Sequence, residues 1–247
     1  MANLRVRFIK FCTVGFLSPG LLWAADSANP TPKPAVGTNA ATPARISYRA
    51  AKGSVTAARV TGGSRGSGDA AVTLDVLAPD ETGLTTQEQP SLFWYQSKPA
   101  KARFELTLMQ EDKTKPVFAV NVDRASNAGI QRLRLADQGV KLAVGVEYKW
   151  VVALVTDPNN RSTDLVASGF IKRVEPSAEL KTKLGSASAR SVPAIYAEAG
   201  IWHDAVSSLS DLIDANPGDK SLLGERADLL RQAGLKAAAA DSLTASK

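Results

Sequence analysis

The chain has 247 residues, a formal charge of +6, one cysteine and one histidine. So few thiol and imidazole groups exclude a disulfide framework and a thiolate zinc site, and they leave little for nucleophilic catalysis. The excess positive charge does not extend to the body: residues 25–68 carry Lys33, Arg45, Arg49, Lys52, Arg59 and Arg65 against Asp26 alone, and the rest is slightly acidic. Nucleic-acid binding is not indicated, because Tyr48 is the only aromatic in that basic stretch.

Arg5, Arg7 and Lys10 open the chain with no acid among them. A short apolar run follows, broken by Pro19 and Gly20, and it exits through Trp23, Ala24 and Ala25. A basic start, a brief apolar stretch and small residues at its end predict a secretory signal peptide over 1–24. The run is shorter than the ~20 residues a membrane-spanning helix needs, so no transmembrane segment is expected in the mature chain. Cys12 lies in that leader. The expected location is the periplasm or the outside of the cell.

Residues 25–68 are rich in Ala, Pro, Gly, Ser and Thr and predict a disordered basic linker. Arg65 among glycines could hold a phosphate or a carboxylated glycan, but phosphate loops follow a strand and open a helix, and this one follows a linker and precedes a strand. A junction is the simpler reading.

From Val72 to Val174 apolar and polar residues mostly alternate, the period of half-buried strands. Strand signals fall near 72–76, 92–95, 104–108, 117–122, 130–135, 148–154 and 165–174. Turn chemistry separates them, including Pro79, Asp80 and Gly83. Many short strands in series predict an immunoglobulin/fibronectin-like β-sandwich over 69–175, with Trp94, Trp150 and Phe104 in its core.

After Pro176 the apolar spacing changes to three and four residues, the period of amphipathic helices. Ser177 is placed to cap a helix carrying Leu180 and Leu184, and Ser191 another with Pro193 in its first turn. A third helix runs from about Trp202 to Ala215, and a fourth carries Leu222, Leu223, Leu229 and Leu230 before Gly234. The helical region is bounded at 176–240. Tyr196, Gly200, Trp202, Ala205, Leu209, Leu212 and Pro217 resemble a single tetratricopeptide repeat. One repeat cannot bury its own apolar face, so the hairpin should lean on the sandwich or on a partner.

Three features offer candidate site chemistry. His203 has no second histidine for a metal and no elbow-like Gly-x-Ser-x-Gly for a triad. The polar loop with Asp157, Asn159 and Arg161 could hold calcium, but it lacks the EF-hand spacing, and a turn needs less assumption. Glu105, Glu147, Asp157, Asp164 and Glu175 offer carboxylates, yet no spacing singles out a glycosidase pair. No catalytic, cofactor or metal residue is assigned. Asp157, Asn159, Arg161, Tyr196, Trp202 and His203 are the candidate contact residues.

Several phrases together resemble the bacterial family called domain of unknown function 928. They are the Gly62 to Gly66 junction, Gly83-Leu84-Thr85 before Pro90, Tyr148-Lys149-Trp150, the Asp157 to Ser162 phrase, Arg173 to Ser177, and Tyr196 to Ala205. The resemblance covers most of residues 60–235. It implies exported proteins of Gram-negative-type bacteria with no established activity. Trp150, Asp157, Arg161 and Glu175 match its recurring phrases without an assigned role. The sequence thus points to a non-enzymatic envelope protein that binds a protein partner through its loops or hairpin. The alternative is a domain that binds or hydrolyses envelope polysaccharide, using carboxylates and exposed aromatics such as Trp94 or Tyr95.

Overall fold

The computed structural model describes residues 46–50, 59–63, 72–99, 103–110, 113–122 and 127–244. All belong to one unit, Thr42–Lys247. The leader expected over 1–24 and most of the expected linker lie outside the described residues.

Alternation builds the first two layers. In β5 (Arg103–Gln110) Phe104, Leu106 and Leu108 are buried, while Arg103, Glu105 and Thr107 turn the other way. Tyr148, Trp150, Val152 and Leu154 do the same in β8 (Glu147–Val155). These strands join β6 (Phe118–Val122), β9 (Leu165–Arg173) and β3 (Gly83–Thr85) in a five-stranded sheet of order β3-β9-β8-β5-β6. A second sheet, ordered β1-β2-β4-β7, comprises Gly62–Gly63, Thr73–Val76, Ser91–Gln96 and Gly129–Arg134. Leu74, Val76, Leu92 and Trp94 from this sheet share one core cluster with Phe104, Trp150, Val152 and Ile171 from the other. Trp94 and Phe104 meet across it with ring centroids 5.8 Å apart. Each such aromatic contributes ~3–5 kcal/mol by truncation.

β3 pairs with β9 in parallel, Thr85 opposite Arg173. The sequence predicts a turn here, and the structure corrects it to a three-residue strand. Its partner is remote in sequence, so no local period announces it.

β4 explains the third layer. All six of its residues are buried, because the strand is covered on both faces. Leu92 and Trp94 enter the inter-sheet core, whereas Phe93 and Tyr95 join Leu77 in a second cluster with helical residues. That cluster includes Trp202, Ala205, Val206, Leu209, Leu222 and Leu230. The helices therefore complete a sheet face and share its core.

Ser177 caps α1 (Ala178–Gly185) as the sequence predicts, accepting from Leu180 N at 3.1 Å. Ser191 precedes α2 (Val192–Glu198) but does not cap it: its hydroxyl turns back to Ser188 O at 2.9 Å, within a short 3-10 turn. Gly200, at φ 77°, makes the left-handed turn into α3 (Trp202–Ala215). Asp219 caps α4 (Lys220–Gln232), and a further helix, α5 (Lys236–Thr244), buries Ala238, Ala239 and Ser242.

Two pieces of the expected linker are ordered parts of this fold. Val60 exchanges hydrogen bonds of 2.9 Å with Ser168 on one sheet while Gly62 pairs with Leu74 on the other. The Arg59 side chain is largely covered beside them, 3.5 Å from Asp75 and 3.3 Å from Asp80. Ile46, at 2% exposure, enters the helical cluster. Composition averaged over 25–68 hides these few anchoring side chains.

Candidate functional site

A cleft of about 400 Å³ opens where the helices meet the sheet edge. Asp204, Ser207, Ser208 and Asp211 line it at helical spacing along one face of α3. Arg132 and Arg134 come from β7, Tyr196 from α2, and Gln87, Gln89 and Ser91 from the β3–β4 connection and the start of β4.

Asp204 is the structural centre. Its carboxylate accepts from Thr85 Oγ1 at 2.5 Å, from Thr86 N at 3.0 Å and from the Thr86 hydroxyl. Burial raises its pKa, and the threonine bonds oppose that rise. Third in its helix, it also sits where the N-terminal dipole favours a negative charge. The result is a polar rivet between α3 and the end of β3.

Arg132 is the second rivet. Its guanidinium reaches Ser91 Oγ at 3.0 Å, Asp211 Oδ1 at 2.6 Å and Ser207 Oγ at 3.1 Å. It also lies over the Phe93 ring, 5.1 Å from the centroid. Burial raises the Tyr196 hydroxyl, as does nearby Asp204, while side-chain bonds with Thr86 and Gln87 lower it. Arg134 differs from all of these: it is exposed and pairs with no carboxylate among the described residues.

Two of the contact residues expected from sequence prove to be interior. Trp202 is fully buried, donates from Nε1 to Leu77 O at 2.8 Å, and meets the Tyr48 ring edge-on at 4.9 Å. His203 is 2% exposed, and burial pushes its pKa down to about 4, against a raising contribution from the Phe170 backbone. It is neutral at pH 7 and its Nε2 has no hydrogen-bond partner among the described residues. Neither side chain can meet a partner directly, because both fill the space between helix and sheet. Of that trio Tyr196 lines the cleft together with the edge of the His203 ring, and Trp202 does not reach it.

Asp157, Asn159 and Arg161 lie elsewhere, on the exposed turn joining β8 to β9. Asn159 N donates to Asp157 Oδ1 at 2.9 Å, an Asx turn. Arg161 grips Glu105 at 2.6 and 3.1 Å and Asp164 at 2.6 Å. Those bonds hold Arg161 above its usual pKa and Glu105 below its own. The loop's polar groups are thus turned on one another, at the end of β9 away from Thr85. No group of three His, Cys, Asp or Glu able to hold a metal occurs among the described residues.

The sequence marks the Tyr196-to-Asp204 turn as a contact region but gives Asp204 no role of its own, and it does not single out Arg132, Arg134 or the two threonines. The polar spacing of Asp204, Ser207, Ser208 and Asp211 was the available signal; the strand that faces it was not.

No curated protein matches the chain significantly. Among solved structures, a multi-domain immunophilin from Arabidopsis thaliana is similar at 9% identity and a TM-score of 0.17, covering 72% of this chain and 94% of that one. Likeness at that level carries no argument about fold or role. Residues 60–243, in contrast, match one family throughout, and they span the sheets, the cleft and the helices. The chain belongs to the family Domain of Unknown Function (DUF928).

Proposed function

We propose that this protein is an exported envelope protein whose folded body binds a protein partner and catalyses no reaction. The observation that carries the reading is how the cleft spends its polar groups. A general acid or base must reach a reacting proton and titrate near the working pH. Here the imidazole of His203 is buried and neutral, Asp204 is bound to Thr85 and Thr86, and Arg132 is bound to Asp211. What remains at the rim is recognition chemistry: Arg134, which pairs with no carboxylate among the described residues, and the amide of Gln89. Those donors suit an acidic or amide-bearing protein surface. The basic leader supports export, and no described helix is long and apolar enough to cross a membrane.

Within this reading the two sheets form an immunoglobulin/fibronectin-like sandwich and α2–α3 a tetratricopeptide-like hairpin. The shared core of the sheets supports the first, and the Gly200 turn with fully buried Ala205 supports the second. A glycan-binding or glycan-hydrolysing role gains no support from Trp94 and Tyr95, which are 2% and 7% exposed. Sugar stacking needs an open ring face.

The test is cross-linking of the mature chain to envelope extract, beside the variants Arg134→Glu and Gln89→Ala. Loss of a partner with Arg134→Glu supports the cleft; identical partner sets remove it. N-terminal sequencing of the exported protein should begin at Ala25. Truncation after Glu175 is a poor control, since it would uncover Phe93 and Tyr95.

A further inference from the structure

Residues 46–50 (Ile-Ser-Tyr-Arg-Ala) lie against the helices as a single stretch outside any helix or sheet. Their side chains alternate: Ile46 is buried and Tyr48 half-buried, while Ser47 and Arg49 are exposed. The Gln232 side chain at the end of α4 binds the backbone from one side. Its Nε2 donates to Ile46 O at 3.0 Å and its Oε1 accepts from Tyr48 N at 2.8 Å. From the other side, Arg49 N donates to Ala197 O of α2 at 3.1 Å. Main-chain bonds of this kind hold an extended peptide regardless of its sequence, and alternate sockets select the side chains.

Both sockets are defined. One takes an aliphatic side chain into the helical cluster, as Ile46 does. The other takes an aromatic ring against Trp202 at 4.9 Å and a hydroxyl that donates to Glu81 Oε1 at 3.0 Å. A cavity of about 380 Å³ adjoins Ile46 and Ser47, and another of about 300 Å³ adjoins Arg49.

We propose that this groove is a binding site for an extended segment of a partner protein bearing an aliphatic residue and, two positions later, a tyrosine, and that residues 46–50 fill it in cis until such a segment displaces them. Two side chains and three backbone hydrogen bonds hold five residues, so the gain from docking and the cost of ordering are of the same order. Docking so balanced is reversible. A tethered ligand acts at roughly millimolar effective concentration, so the cis segment sets a threshold that only a tighter partner passes. This site is separate from the cleft at Arg134 and does not depend on it.

A site-specific protease sequence placed between Gly53 and Ser54 allows the folded full-length chain to be nicked, which frees the segment from its tether. The probe is a fluorescein-labelled peptide of residues 43–52 of this chain, followed by anisotropy. After dilution the nicked protein should bind it saturably, and the intact chain about tenfold or more weakly. The peptide carrying Tyr48→Ala, and a nicked body carrying Gln232→Ala, should each bind about tenfold weaker. Several results overturn the proposal. One is a nicked body that keeps its native circular dichroism yet binds no peptide. Another is a body that unfolds once the fragment leaves, or a fragment that millimolar peptide never exchanges. A dimer of the intact chain that Tyr48→Ala dissociates would assign the groove to a second copy instead.

Discussion

A methyl group on Gly83 would stand 2.6 Å from Nε2 of His203. The first residue of β3 and the second residue of α3 thus approach as closely as backbone and ring allow. Gly83 is needed for this contact and not for an unusual dihedral angle. Gly83→Ala should therefore lower the unfolding free energy by about 1–3 kcal/mol in a urea titration, the usual cost of overpacking. Combining it with His203→Ala should recover part of that loss, because the clash and the truncation share one space. Simple additivity of the two changes would mean the contact does not exist.

The same burial sets an acid sensitivity. His203 titrates at about 4 in the folded chain, against 6.5 when free. Across that interval the unfolded chain takes up a proton that the folded chain refuses, so stability falls as pH falls and is complete above 6.5. The loss amounts to about 3 kcal/mol at the bottom of the window. Asp204 and Asp75 act in the opposite sense: burial is the main cause of the rise in each, so protonation removes a charge that is costly to bury and these groups favour the folded chain as pH falls. Urea unfolding of wild type and His203→Leu at pH 7 and pH 4.5 separates the contributions. Wild type should lose more stability than the variant over that interval, and parallel losses would count against a neutral buried imidazole.

What the sequence disclosed depended on whether a period was local. Phe104, Leu106 and Leu108 announce β5 and its buried face, since each neighbour in the pattern lies two residues away. Leu92-Phe93-Trp94-Tyr95 announce a strand too, but the run also says that both faces are covered, and that was the clue to the helix layer. β3 gave no such clue, because three residues have no period and their partner begins at Ile171. α5 was missed for want of large apolar residues, although an alanine run is itself a helix signal. The site was less legible than the fold. Trp202 and His203 are conspicuous residue types, yet they serve the packing. Asp204 beside them is ordinary in sequence and becomes central only once Thr85 and Thr86 arrive from β3. Tyr48 was visible as the only aromatic of the basic stretch, but its socket is assembled from Trp202, Glu81 and Gln232.

Asp204→Ala removes the acceptor shared by Thr85 and Thr86 and leaves donors stranded at a buried junction. The expected cost is about 2–4 kcal/mol, since charge-assisted bonds are lost and their partners are not resolvated. Asp204→Asn keeps one acceptor oxygen and should cost less. Amide hydrogen exchange gives a local readout: the Thr86 N–H should exchange faster in Asp204→Ala than in wild type. Unchanged protection there would mean that the rivet between β3 and α3 is not formed by this carboxylate.

The tryptophans provide the last test, and it bears on function as well as packing. Trp94, Trp150 and Trp202 are at most 2% exposed. A chain beginning at Ala25 lacks Trp23, so all of its indole emission comes from these three. That emission should be blue-shifted and resist acrylamide quenching until urea unfolds the protein. Trp202→Phe keeps an aromatic against Tyr48 but strands Leu77 O, and should cost about 1–3 kcal/mol while leaving the remaining emission shielded. Strong quenching of the folded wild-type chain would mean that an indole faces solvent, and an open aromatic platform would return the polysaccharide-binding reading to contention.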